Sequence, residues 1–395
     1  MADEVAILGV GMHPWGKWGR KFVEYGVKAC RDALQDAGVE WKEIQFVSGG
    51  ETMRCGYPGY VAGASFAQAL GWNGARVASS YSACASGATA LNTARMQILA
   101  GFCDVALVVG GDTTPKGFLA PQAGDRPDDP DWLRFRLMGA TNPTYFALYA
   151  RRRMEIFGAT ERDFAKVKVK NSRHGLPNPN ARYRKEYSEE EVLASPMVAD
   201  PLRLLEICAT SDGAAALVLS SMEFARKRRS DPVRVAAVST VTPRFPSSVV
   251  ELPDIATDSA YSVPVPDNTF RGWVAAAAYQ EAGIGPEDLD LAEVYDLSSA
   301  MELDWYEDIG ICKRGAAEKL LNDGDTAIGG RIPVNPSGGL ACFGEAVPAQ
   351  ALAQVCELTW QLRGKAGERQ VQGAKVGLTA NQGLFGHGSS VILKK

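Results

Sequence analysis

Apolar and polar positions along this chain fall into two rhythms, short continuous apolar runs and longer stripes at helical spacing. Glu4-Val5-Ala6-Ile7-Leu8-Gly9-Val10 is an apolar run ended by glycine, which predicts a strand buried on both faces. Phe22 to Ala37 places Val23, Val27, Cys30, Ala33, Leu34 and Ala37 on one face and stops at Gly38, which predicts a helix. Ile44 to Ser48 and Asp104 to Gly111 predict further strands. Thr144 to Phe157 and Glu161 to Arg173 predict helices, the second capped at or near Thr160, and Ser188-Glu189-Glu190-Glu191 opens another with acid in its first turn. Gln122 to Asp131 reads as a loop, and Pro243 to Asn268 as a long covering loop of the kind that commonly serves function.

The second half repeats this plan. Pro232 to Ser239 is another apolar run, Trp273 to Gly283 another helix with an alanine-glycine stop, and an acidic linker again leads to a strand ending at Tyr295. Lys375 to Gly383 stands where Asp104 to Gly111 stands in the first half. One unit used twice predicts two layered α/β halves that pack their sheets around shared helices. The division expected is an N-terminal half over 1–231, with 112–231 as an insertion that does not repeat, and a C-terminal half over 232–395. A pseudo-twofold between the halves would make the turn at Cys84 face the turn at Gly344-Glu345.

Composition narrows the function. At 395 residues the chain is long enough for two or three units. A formal net charge of −4 gives no basic excess, so no nucleic-acid partner is expected. Eight scattered cysteines with no CxxC pair and no cysteine-histidine cluster point to reduced thiols in a cytoplasmic protein and to no metal site. No leader-like n-region and no apolar run of about twenty residues suggests a membrane role. Gly9 and Gly11 form a GxG without the third glycine of a dinucleotide site, so a nicotinamide cofactor is set aside.

Candidate chemistry centres on Ser79 to Leu91, a turn of small residues that runs into an alanine-rich helix with Cys84 at its start. The positive end of a helix dipole favours thiolate there, whereas a small buried cysteine would be inert. Three further stretches matter: Pro201 to Ala216, Glu293-Val294-Tyr295-Asp296, and Asn335-Pro336-Ser337-Gly338-Gly339.

With the Cys84 turn, these ordered motifs resemble the thiolase superfamily, in particular its sterol carrier protein X branch, over nearly the whole chain. The resemblance implies a five-layered αβαβα fold and a dimer acting on coenzyme A thioesters, with a strand near Val105 to Val109 at the subunit contact. Three departures are informative. Tyr295 replaces a histidine of this branch, Gly344-Glu345-Ala346 stands where the family has glycine-histidine-proline, and Asn381 to Gly388 lacks the C-terminal cysteine of the classical enzymes. These departures look like those of actinobacterial aldolases that cleave steroid side chains.

The resemblance thus implies a retro-aldolase, a lyase that cleaves a bulky β-hydroxyacyl-CoA into a ketone or aldehyde and a short acyl-CoA. The alternatives are a degradative 3-ketoacyl-CoA thiolase using Cys84 and a non-catalytic subunit that binds lipid or acyl-CoA. Tyr295, Glu345, Cys84 and His387 are the candidate catalytic residues. Against those roles, Tyr295 could be a packed core tyrosine, Glu345 a helix N-cap, and His387 a loop residue or a donor to the thioester oxygen. His174 is expected to be structural or a substrate contact at the surface, and His13 has no evident partner. Coenzyme A is expected only as part of the substrate, and the aldolases resembled here work with a small OB-fold and zinc-ribbon partner.

Overall fold

The computed structural model describes residues 4–51, 61–114, 142–244, 269–383 and 386–395. The loop at Gln122 to Asp131, and all but the first two residues of Pro243 to Asn268, lie outside them. The first half runs β1 (Val5–Gly16), α1 (Phe22–Ala37), β2 (Phe46–Gly50), α2 (Ala62–Leu70), β3 (Arg76–Ser80), α3 (Ser86–Leu99) and β4 (Val105–Thr113). Helices α4 (Asn142–Phe157), α5 (Glu161–Gly175) and α6 (Glu189–Leu193) follow, then a small hairpin of β5 (Met197–Ala199) and β6 (Leu202–Arg203). Strand β7 (Asp212–Ser221) and helix α7 (Met222–Arg228) complete it. The second half contains β8 (Val233–Val241), α8 (Phe270–Ala282), β9 (Leu291–Val294), α9 (Ser299–Asp308), α10 (Ala317–Asn322), α11 (Gly339–Phe343), α12 (Gln350–Leu362), β10 (Val376–Gly383) and β11 (His387–Lys394).

The strand order is β3-β2-β4-β7-β1-β8-β11-β10-β9, which mirrors about the β1–β8 seam. On both sides an antiparallel pair, β4 with β7 and β10 with β11, joins a parallel neighbour, β2 or β9. Val334 bridges Ala292 in parallel, where the first half has β3 against β2. The seam itself is short, pairing Ala6 with Arg234 and Ile7 with Val233. Helices α1 and α2 cover the outer face of the first half-sheet and α8 that of the second, while α3 and α12 pack on each other and touch both. This is the expected αβαβα layering of two repeated halves.

Alternation along the strands shows why these segments are strands. Val105, Leu107 and Val109 of β4 face the outer core under α1, and Ala106 and Val108 face the core between the half-sheets. Apolar residues on both faces make the strand read as a continuous run. Gly9 and Gly11 have a packing role, since a Cβ at either would lie 2.2 Å from a carbonyl oxygen of α1, that of Ala33 or Ala29. Helix α1 therefore rests directly on the β1 backbone. Its buried stripe is centred on Tyr25, Ala29, Cys30 and Ala33, with Val23 and Val27 at the margin.

Two expectations need correction. Residues 212–221, assigned from sequence to the insertion, form β7 in the interior of the sheet, the counterpart of β11. The insertion between β4 and β7 occupies the place of the short turn between β10 and β11, so a long detour hid the second strand of a simple antiparallel pair. Nor can Val105 to Val109 lie at a subunit contact, because β4 is held between β2 and β7 and those residues are buried. Among the described residues, the strand at that edge of the sheet is β3. Helices expected at Thr144 and Glu161 are present, and Thr160 and Ser188 cap α5 and α6 with their side chains.

Candidate active site

The turn between β3 and α3 holds Cys84 in a strained but well-tied conformation. Ala83 has φ +47°, a left-handed geometry that costs a non-glycine residue about 1–2 kcal/mol. Ser86 fixes it, because its Oγ accepts from the Ser82 amide at 2.9 Å and donates to the Ala83 carbonyl at 2.6 Å. Thr89 Oγ1 adds a bond to Ser82 Oγ at 3.0 Å. The run of small residues is what allows this turn to close, and Gly383 of β10 backs onto it, with no room for a Cβ beside the Ser82 carbonyl.

Glu345 enters from the other half, as the pseudo-twofold requires. It follows Gly344, whose φ of +72° and contact with Ala209 and Ser211 leave no room for a side chain. The Glu345 backbone is stitched to the segment before β7 by Glu345 N–H to the Ala209 carbonyl at 2.7 Å and Ser211 N–H to the Glu345 carbonyl at 2.8 Å. Its carboxylate accepts from the Tyr295 hydroxyl and acts on the Cys84 thiol by its charge. It is not a helix cap, since α12 begins five residues later with Ala349 at its N-cap. Tyr295 is fully buried, as a core tyrosine would be, but its hydroxyl is committed to Glu345.

Electrostatics in this cluster run against the helix-dipole expectation. Burial, followed by the Glu345 charge, pushes the Cys84 thiol well above its ordinary value. Burial, then the proximity of Cys84 and Glu345, pushes the Tyr295 hydroxyl up as well. Burial also raises Glu345, against the lowering effect of Cys84 and Tyr295 beside it. The thiol and phenol are therefore the proton donors of this cluster, and Glu345 is the acceptor that Tyr295 addresses. A dipole contribution of about 0.3–1 kcal/mol is too small to offset loss of water around a buried thiolate.

A second set of buried polar residues orients Tyr295, and sequence reasoning identified only part of it. Asn335, at φ +53°, accepts from the Val294 amide at 2.8 Å and donates to Glu302 at 2.8 Å. Glu302 is paired with Lys170 at 2.9 Å and also accepts from Asn171 and Tyr306. Asp296 caps α11 by accepting from Leu340 and Ala341, and burial first, then the Glu302 charge, pushes its carboxyl up to about 8. The only non-glycine residues with positive φ among those described are Ala83 and Asn335, one in each of two motifs singled out in the sequence. Both motifs were visible in the sequence, but Lys170, Asn171 and Glu302 sit on helices whose apolar spacing carries no hint of a polar cluster.

His174 belongs to this scaffold. Its ring lies 3.0 Å from the Asn335 carbonyl through Nδ1 and accepts the Ile328 amide through Nε2 at 3.1 Å, which fixes the neutral tautomer with the proton on Nδ1. It is structural, as one reading of the sequence had it, and is not a surface contact. His13 packs its ring 4.8 Å from that of Tyr25. His387 is not brought into the cluster: it pairs with Gly383, next to the Cys84 turn, is half-buried, and its ring has no hydrogen-bond partner among the described residues. Among the described residues no group of His, Cys, Asp and Glu could hold a metal ion, and no helix is long and apolar enough to cross a membrane.

A sheet folded on its own pseudo-twofold, with a cysteine turn from one half meeting a loop from the other, defines a thiolase-type architecture. Comparison with known proteins agrees. Residues 5–223 match the family model "Thiolase, N-terminal domain" and residues 256–395 match "Thiolase C-terminal domain-like". The sterol carrier protein 2 of Bos taurus is 34% identical over 405 residues, covering 98% of this chain and 71% of that protein. An acetyl-CoA acetyltransferase of Methanothermobacter thermautotrophicus is 33% identical over 399 residues, covering 98% of each. Among solved structures, the Ltp2-ChsH2(DUF35) aldolase superposes with a TM-score of 0.79 at 25% identity, over 99% of this chain and 97% of that one. The chain belongs to the thiolase superfamily, in its sterol carrier protein X branch.

Burial, then the nearby Lys170 charge, lowers the His174 pKa to about 3. The unfolded chain, with a histidine pKa near 6.5, takes up a proton first as pH falls, so His174 costs stability below about pH 6.5 and costs none above it. Between pH 6 and pH 4, urea unfolding of the wild type should lose up to about 1.4 kcal/mol per pH unit more than His174→Gln. Parallel curves for the two proteins would show that His174 is not held neutral.

Proposed function

We propose that this thiolase-fold chain is a carbon-carbon lyase, a retro-aldolase that splits a β-hydroxyacyl-CoA into a ketone or aldehyde and a shorter acyl-CoA. The observation that carries this reading is the buried contact of Tyr295 with Glu345 beside a Cys84 thiol that burial keeps protonated. Acyl transfer needs a thiolate, and this environment disfavours one. Retro-aldol cleavage needs a group to take the β-hydroxyl proton. Tyr295 takes that proton as it passes its own to Glu345, the Cβ–OH electrons close to a carbonyl, the Cα–Cβ bond breaks, and its electron pair moves onto the thioester as an enolate. Protonation at Cα, by the proton now on Glu345 returning through Tyr295, completes the shorter acyl-CoA and restores the site. Coenzyme A takes part only as the carrier of the substrate. The bulky, steroid-type acyl group comes from the resemblance to steroid side-chain aldolases.

Acyl transfer through Cys84 is the second reading, favoured by the place of Cys84 just before α3 and by the acetyltransferase relative. A silent acyl-CoA-binding subunit is the third. The Ltp2 aldolase neighbour, an assembly with ChsH2(DUF35), supports a small OB-fold and zinc-ribbon partner for this chain too, so the assay includes candidate partners. Offered β-hydroxyacyl-CoA and β-ketoacyl-CoA, the protein should cleave the former. Tyr295→Phe keeps the buried ring and should lower turnover roughly 10²–10⁴-fold, the span for a positioned acid or base. Cys84→Ser should retain much of the activity, and an acyl adduct on Cys84 by mass spectrometry would establish the thiolase reading instead.

A homodimer forms part of this proposal. Among the described residues β3 is the edge strand, with Val77 exposed on it and exposed Phe102 against its Arg76, and an edge strand of this kind invites pairing with a second copy. Sedimentation at micromolar concentration should give twice the 42.3 kDa of one chain. Val77→Lys should shift it toward monomer, and a monomeric wild type would remove the dimer from the proposal.

A further inference from the structure

Asp112, the last but one residue of β4, has no part in the scheme above, yet it sits against the loop that carries Glu345. Its Oδ2 accepts from the Val347 amide at 3.2 Å and from Thr114 Oγ1 at 2.9 Å. Among the described residues its Oδ1 is buried with no hydrogen-bond partner, and only 2% of the residue is exposed. An orphaned carboxylate oxygen in such a place costs about 1–3 kcal/mol, which a merely structural acceptor has no reason to incur.

We infer that Asp112 is a positioning residue for the Glu345 loop, a second carboxyl that holds Val347 in place and shares charge with Glu345. The inference rests on the Glu345 assignment made above. Burial pushes the Asp112 carboxyl up to about 7, with the charges of Glu345 and Asp212 acting in the same direction against the bonds from Thr114 and Val347. Asp112 thus changes charge where a neutral-pH enzyme works. The groups that face it are Glu345 from the loop before α12 and Asp212 at the start of β7, the latter paired with Lys17 from the segment after β1. Glu345 in turn faces Cys84 and Tyr295, and Cys208 lies close enough to feel the Glu345 and Asp296 charges and to act on Cys84.

The sequence of events follows from charge alone. With Glu345 ionised, Asp112 keeps its proton until about pH 7. Once it ionises, its bond to the Val347 amide becomes charge-assisted and its negative charge raises the proton affinity of Glu345, which strengthens the pull on the Tyr295 proton.

The test begins with a readout independent of turnover. In pH-difference infrared spectra, the wild type should show a protonated-carboxyl band titrating near pH 7 that Asp112→Asn removes. Glu345→Gln should move that band's midpoint down by roughly one unit, the effect of losing a like charge. On whichever thioester proves to be a substrate, the turnover profile should show an inflection near pH 7 that Asp112→Asn abolishes while Val347 keeps its acceptor. Asp112→Ala, which removes that acceptor, should lower turnover more than Asp112→Asn does. A midpoint unmoved by Glu345→Gln overturns the coupling, and an Asp112→Asn profile superimposable on wild type overturns the positioning role. Absence of turnover on any thioester would bear on the lyase reading and leave the infrared result to decide the fate of Asp112.

Discussion

Two helices shared between two half-sheets form the constraint on which everything else depends. Helix α12 is buried nearly all round and α3 over most of its length, with Met96 exposed near its far end, and each lies against strands of the other half as well as its own. Burying both in one central layer brings the turn before α3 and the loop before α12 together. The contact of Cys84 with Glu345 is thus a result of core packing. The strained φ at Ala83 is tolerable for the same reason, because the layer around it leaves Ser86 and Gly383 no alternative positions.

Much of this was legible in the sequence because repeats and apolar runs are local signals. Val5 to Val10 and the alanine-glycine stops at Gly38 and Gly283 gave the layering, and both glycines indeed end their helices in the left-handed conformation. The Cys84 turn, Tyr295 and Glu345 were found from motifs and departures from them. Three kinds of information were out of reach. Strand β7 was hidden by the detour that precedes it. The pKa of Cys84 depends on burial by segments hundreds of positions away, so a rule based on the local helix end pointed the wrong way. Asp112 looks like the polar end of a strand until the loop at Val347 is seen to close over it.

A histidine in either of the two positions would bring a titrating base with a positive conjugate acid next to the sulfur, and that charge would stabilise a thiolate. A tyrosine and a glutamate reverse the sign. Cys84, Tyr295 and Glu345 act chiefly on one another's ionisation. Such a site can carry one negative charge, and it rests on the group with the lowest proton affinity, the carboxylate, which then makes each of its neighbours harder to ionise.

That single charge has a consequence for the chemistry open to the site. A nucleophilic thiolate would place a second anion against Glu345 in a buried region, so any route through Cys84 must first protonate the glutamate and thereby lose the base. A proton taken from a substrate hydroxyl has no such conflict, since it arrives at the one group already prepared to receive it, and the negative charge leaves the cluster for the substrate. The glutamate's charge is then neutralised as the enolate's appears, so the buried site holds no more charge at the transition state than at rest, which is what a low-dielectric pocket favours.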